Sequence, residues 1–155
     1  MTIQGDPRRK TAAAYRRRDK IILGRVDHTR DGIPFGPVDP VVLSSAAEDA
    51  ALGRAVLVAI SSSRLGVDPL GQADWDHGLR HLLRAAEVNS WRTFVRGTRS
   101  VDIWSTPGRV ELDPLVNLGA RSGFGGRAAD SIEVGSDDAD RVGKALRRAL
   151  DLATE

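Results

Sequence analysis

Apolar residues recur along this chain with two distinct periods. Leu52, Ala55, Val56, Ala59 and Ile60 fall at i, i+3, i+4, i+7 and i+8, which is one face of a helix. Val142, Ala145, Leu146, Ala149 and Leu150 follow the same spacing. So do Leu79, Leu82, Leu83 and Ala86. These runs predict helices over Ala46–Ser63, His77–Val88 and Asp137–Leu152. Trp91, Phe94 and Val95 predict a shorter helix, with Gly97 as its stop. Ser45-Ala46-Ala47-Glu48 has the form of a capping box, and Asp137-Asp138 places negative charge at the positive end of the last helix.

The second period is two. Within Ser100–Thr106, Val101 and Ile103 alternate with Asp102 and Trp104. After Pro107-Gly108, Val110 and Leu112 alternate with Glu111 and Asp113. Two alternating runs joined by a Pro-Gly turn predict a hairpin. Lys20–Val26, Val41-Val42-Leu43 and Ile132-Glu133-Val134 read as further strands.

These elements fall into two related halves. Leu52-Gly53-Arg54-Ala55-Val56 matches Val142-Gly143-Lys144-Ala145-Leu146 at an offset of about 90 residues. Less firmly, Phe35-Gly36 matches Phe124-Gly125, with the offset slipped by one. Each half reads as strand, Gly-rich turn with a central Phe, strand, helix. The fold class expected is α+β: a central, largely antiparallel sheet with helices packed on it, built from a duplicated strand-loop-strand-helix unit.

Residues 1–19 lack apolar periodicity and read as a flexible basic arm or a frayed helix, leaving 20–155 as a single domain. The first 20 residues carry seven Arg and Lys against two Asp, a net +5. The whole chain is +2, so the other 135 residues are at −3. The high isoelectric point therefore describes the arm more than the body. A nucleic-acid-binding module using the arm is the alternative this segment raises. The chain has no cysteine, which excludes disulfides and thiolate metal sites and suits a reducing compartment. No apolar run approaches the roughly 20 residues of a membrane span, and no apolar stretch follows the basic start as in a secretion signal. A cytoplasmic location is expected.

Candidate chemistry is sparse. His77 and His81 stand at i and i+4, the ligand spacing of a zinc helix. The position after the first histidine is Gly78 rather than the Glu that would act as general base, so a small metallohydrolase, with Asp74 or Asp76 as a further ligand, is a lesser alternative to two surface histidines. Gly119–Arg127 is glycine-rich but precedes an expected strand rather than a helix, so it reads as a turn and not a phosphate cradle. No nucleophile elbow is present. The reading is a non-enzyme with no catalytic, cofactor-binding or metal-binding residue assigned and no cofactor. Trp91 fits the core beside Phe94. Trp75, flanked by Asp74 and Asp76 in an expected loop, either folds back onto its own domain or is the best candidate for an exposed aromatic anchor to a basic partner. Asp68 in the same loop and Trp104 on the hairpin complete the expected partner-binding set.

Ser90-Trp91-Arg92-Thr93-Phe94, the strand Ser100–Ser105, the Gly119, Gly123, Phe124 and Gly126 pattern and Val142-Gly143-Lys144-Ala145-Leu146 resemble the CdiI-type immunity proteins of contact-dependent growth inhibition systems. The resemblance covers Lys20 to Leu152 and rests on packing and turn residues. It implies a protein that binds the C-terminal toxin domain of a delivered effector, often a nuclease, and blocks it by occluding its active site or substrate surface. The partner implied is that toxin domain, with no membrane and no nucleic acid.

Overall fold

The segment expected to be a basic arm supplies the central strand of the sheet. The computed structural model describes residues 9–155. The remainder of the expected arm, residues 1–8, lies outside the described residues. Strand β1 (Thr11–Arg17) pairs antiparallel with β2 (Lys20–Thr29) on one side and with β5 (Thr98–Thr106) on the other. Its alanines hid it from any reading based on large apolar residues. Ala12 and Ala14 are fully buried against the helices, where a bulkier side chain would hold the layers apart.

Outside β2 lies β3 (Pro34–Ser44), and outside β5 lies β6 (Arg109–Asn117). Both β7 (Phe124–Arg127) and β8 (Ile132–Gly135) pair with β6. Short β4 (Leu65–Val67) runs parallel to the end of β2, the one parallel pairing in an otherwise antiparallel eight-stranded sheet among the described residues. The β5–β6 hairpin forms as its alternation predicts, with Gly108 in the left-handed region (φ 71°) that Pro107-Gly108 provides.

Helices α1 (Asp49–Ser62) and α4 (Ala139–Leu152) cover one face of the sheet. Their predicted stripes, from Leu52 to Ile60 and from Val142 to Leu150, meet Ile21, Leu23, Val101, Ile103, Val110 and Leu112 in the main core. The opposite face carries α2 (Gln72–Ala85) and α3 (Trp91–Val95), packed with Ile22, Tyr15 and Phe124 in a second, smaller core. The α+β sheet with helices packed on it is thus the observed architecture. Three local expectations differ. The capping box at Ser45 does not form: α1 starts at Asp49 after Glu48, and the hydroxyl of Ser44 instead accepts the N–H of Ala46. Helix α2 begins at Gln72, so Trp75 and its flanking acids are helical. Phe35 lies within β3 rather than in a turn.

The 90-residue offset has a spatial counterpart. A Cβ on Gly53 would overlap the carbonyl oxygen of Ala139 and lie 3.0 Å from its Cα. A Cβ on Gly143 would overlap the carbonyl oxygen of Asp49 and lie 2.9 Å from its Cα. Asp49 and Ala139 are the first residues of the two helices, and both pairs of equivalent positions are 90 apart. When residue i of one half meets residue j of the other, and j meets i, the contact is that of a two-fold axis. The glycines let the two helix starts touch backbone to backbone. Arg147 of α4 then ties this junction together, with its guanidinium donating to the Asp49 carboxylate at 2.6 Å and to the carbonyls of Ser45 and Ala47.

Candidate partner-binding face

The two sheet faces differ because α2 and α3 have no symmetric counterparts and cover only part of theirs. On β5, Val101 and Ile103 point to α1 and α4, so Asp102 and Trp104 point the other way. The ladder sets Asp113 directly opposite Asp102, Glu111 opposite Trp104, and Glu133 of β8 opposite Glu111. Four carboxylates and a tryptophan thus share the outer half of this face.

Most of these carboxylates have local partners. Glu111 accepts from Arg9 at 2.9 Å and has Arg127 at 3.7 Å. Asp113 accepts from the hydroxyl of Ser131 and has Arg127 at 3.6 Å. Glu133 lies 3.4 Å from Arg109. Asp102 has neither a side-chain hydrogen bond nor an ion pair among the described residues. Burial, and next the Asp113 carboxylate, push its pKa up to about 6. On the next position of the same face, Tyr15 stands opposite Ser100. Burial, and next the Asp102 carboxylate, raise its phenol.

Beside Tyr15 a cavity of about 170 Å³ opens between the sheet and α2. Tyr15, Phe35, Pro37, Trp75, Leu82 and Trp91 are among its walls. Each wall is held from behind. Phe35 stacks edge-on against Trp75 with ring centres 4.8 Å apart. A side chain at Gly78 would strike the tip of Phe35, so this glycine makes room for the ring. Trp91 donates its indole N–H to the carbonyl of Ala120 at 2.9 Å, which ties α3 to the turn before β7. Tyr15 packs edge-on to Phe94 at 5.3 Å.

The residues expected to bind a partner are distributed unevenly over this surface. Trp75 lines the cavity and keeps 39% of its surface exposed. Asp74 and Asp76 flank it on α2 and have local bonds: Asp74 accepts the N–H of Gly71 at 3.0 Å, and Asp76 accepts from the Gln72 amide at 2.9 Å. The spacing of Trp75, Leu79 and Leu82 is helical, and that was the signal for an earlier helix start. Trp104 lies on the same sheet face, under the guanidinium of Arg9, 5.4 Å from the ring centre. Asp68 is apart from the cavity walls and pairs with Arg30 at 2.9 Å at the surface. Tyr15, Asp102 and Asp113 were not singled out from the sequence, and Phe35 was read only as the centre of a turn. Tyr15 was hidden in the presumed arm, and the two acids read as the ordinary polar side of a hairpin.

His77 and His81 stack on α2 with ring centres 4.1 Å apart. No cluster of three or more metal-ligating side chains occurs among the described residues. Gly119–Arg127 forms a turn that enters β7, with Gly119 and Gly123 in the left-handed region. None of the described helices is long and apolar enough to cross a membrane.

No protein-family model matches the sequence, and no curated protein matches it. Solved structures do match the fold. A protein of unknown function, NMB0488 from Neisseria meningitidis, aligns with a TM-score of 0.80 over 99% of both chains at 19% identity. A chain of a CdiA-CT/CdiI toxin and immunity complex from Yersinia pseudotuberculosis aligns with a TM-score of 0.77 at 18% identity, over 94% of this chain and 98% of that one. At such identities the shared property is the fold.

Proposed function

We propose that this chain is the immunity partner of a toxin–immunity pair, a non-catalytic protein that binds a toxin domain and blocks it. The observation that carries this reading is the end-to-end fold match to a chain of a toxin and immunity complex. The surface supports it. A face that combines an aromatic cavity, a half-exposed tryptophan and, in Asp102, a carboxylate without a cation among the described residues suits a basic protein partner better than a small neutral substrate. Proteins that act on nucleic acid need basic surfaces to hold phosphate, so a nuclease toxin fits this charge. Such a partner would be excluded from its substrate simply by having its basic surface covered.

The basic segment supports binding of nucleic acid less well. Arg9 is paired with Glu111, and Arg16 with Asp151 at 2.8 Å. These cations take part in holding the fold together.

The test is expression in cells. The chain alone should leave growth unaffected, and it should protect cells that express the C-terminal toxin domain encoded beside it. It should also co-purify with that domain as a 1:1 complex that survives chelators. Growth arrest caused by the chain alone would identify it as the toxic partner. Absence of both protection and complex would overturn the proposal.

A further inference from the structure

The unpaired carboxylate of Asp102 stands diagonally across the β1–β5 register from Tyr15, a wall of the aromatic cavity, and the combination defines a ligand more narrowly than either does alone. At the roughly 30 Å³ that each water occupies in the liquid, 170 Å³ is the room of five or six waters, the size of one long side chain. Its walls present four aromatic residues: Tyr15, Phe35, Trp75 and Trp91. The strand register places Asp102 one strand across from Ala13, the residue two before Tyr15 on the same face. Asp102 is the one acid of its row with no cation or donor among the described residues. Asp74 and Asp76 flank Trp75 in the first turns of α2.

We infer that this cavity receives an arginine side chain of the partner protein, with its stem along the aromatic walls and its guanidinium directed to Asp102. The inference rests on the immunity reading for the identity of the partner. Aromatic faces attract a cation through their quadrupole, and arginine stacks on them in a way that lysine does not. The like charge of Asp113 beside Asp102 is unfavourable in the free protein and is relieved when a cation arrives. An apolar anchor would gain from the walls and leave this repulsion in place.

The probe is N-acetyl-L-arginine amide, titrated into the full chain and followed by the fluorescence of the tryptophans. Its neutral isostere, N-acetyl-citrulline amide, and N-acetyl-leucine amide serve as comparisons. Arginine amide should give a saturable change with an affinity at least about tenfold above either comparison. Asp102→Asn should reduce it to the level of citrulline amide, and Asp68→Asn should leave it unchanged. Leucine amide binding as tightly as arginine amide, undiminished binding in Asp102→Asn, or no saturable change would each overturn the inference. Protection of cells is measured separately. A chain that protects yet ignores the arginine probe loses this inference and keeps its immunity reading. A chain that binds the probe without protecting does the reverse.

Discussion

Asp102 and Asp113 face each other across β5 and β6 as directly opposed residues of one antiparallel ladder. Like charges in that position oppose folding. Asp102 is raised from its ordinary 3.8 to about 6, so the folded chain holds a proton there that the unfolded chain has released. Stability from this residue is fully present below pH 3.8 and declines as pH rises towards 6. The shift corresponds to at most ~3 kcal/mol, and less with solvent screening at this partly exposed site. Asp102→Asn should remove that decline. Urea denaturation of both proteins from pH 3.5 to 7 measures it, as a stability difference that favours the variant increasingly across this window.

The helix junction makes a different demand. Gly53→Ala and Gly143→Ala each insert a methyl group into the backbone of the opposing helix. Each should cost about 3 kcal/mol or more, at the upper end of overpacking penalties. Once one substitution has parted the helices, the second meets less resistance. The double variant should therefore lose less than the sum, as chemical denaturation of all three proteins will show.

Arg147 joins α4 to the segment before α1. Replacing it with leucine removes its bond to Asp49 and leaves the carbonyls of Ser45 and Ala47 without this donor. A loss of about 1–3 kcal/mol is expected. Asp49→Asn should cost less, because the carbonyl bonds to Arg147 remain. Thermal unfolding ranks the two.

Trp75 and Asp68 were both expected to meet a partner, and the structure separates them. Trp75→Ala should lower affinity for the toxin domain by tenfold or more while the chain stays folded, as for a central aromatic anchor. Asp68→Asn alters only an exposed pair with Arg30 and should leave both stability and affinity nearly unchanged. Calorimetric titration with the toxin domain distinguishes them.

Deletion of residues 1–17 tests the reassigned arm. It removes the strand between β2 and β5 and exposes Ile21, Ile22, Val101 and Ile103. The product should fail to fold, as judged by circular dichroism and loss of cooperative unfolding. A dispensable arm would instead leave a folded protein.

The sequence by itself determined the elements whose side chains carry a strong period. The stripes of α1 and α4, the alternation of β5 and β6 and the Pro107-Gly108 turn each encode which side is buried, because burial removes apolar area from water. The match between Gly53 and Gly143 was also visible, since it needs only two copies of a pattern. Tertiary structure decided the rest. Thr11-Ala12-Ala13-Ala14-Tyr15 has little apolar surface of its own, and became a central strand only because β2 and β5 complete its hydrogen bonds and two closely packed helices require small residues beneath them. Asp102 was one polar residue among many in the hairpin. Its place diagonal to Tyr15, a wall of the aromatic cavity, depends on the pairing of β1 with β5, a relationship between distant parts of the chain that no local period records.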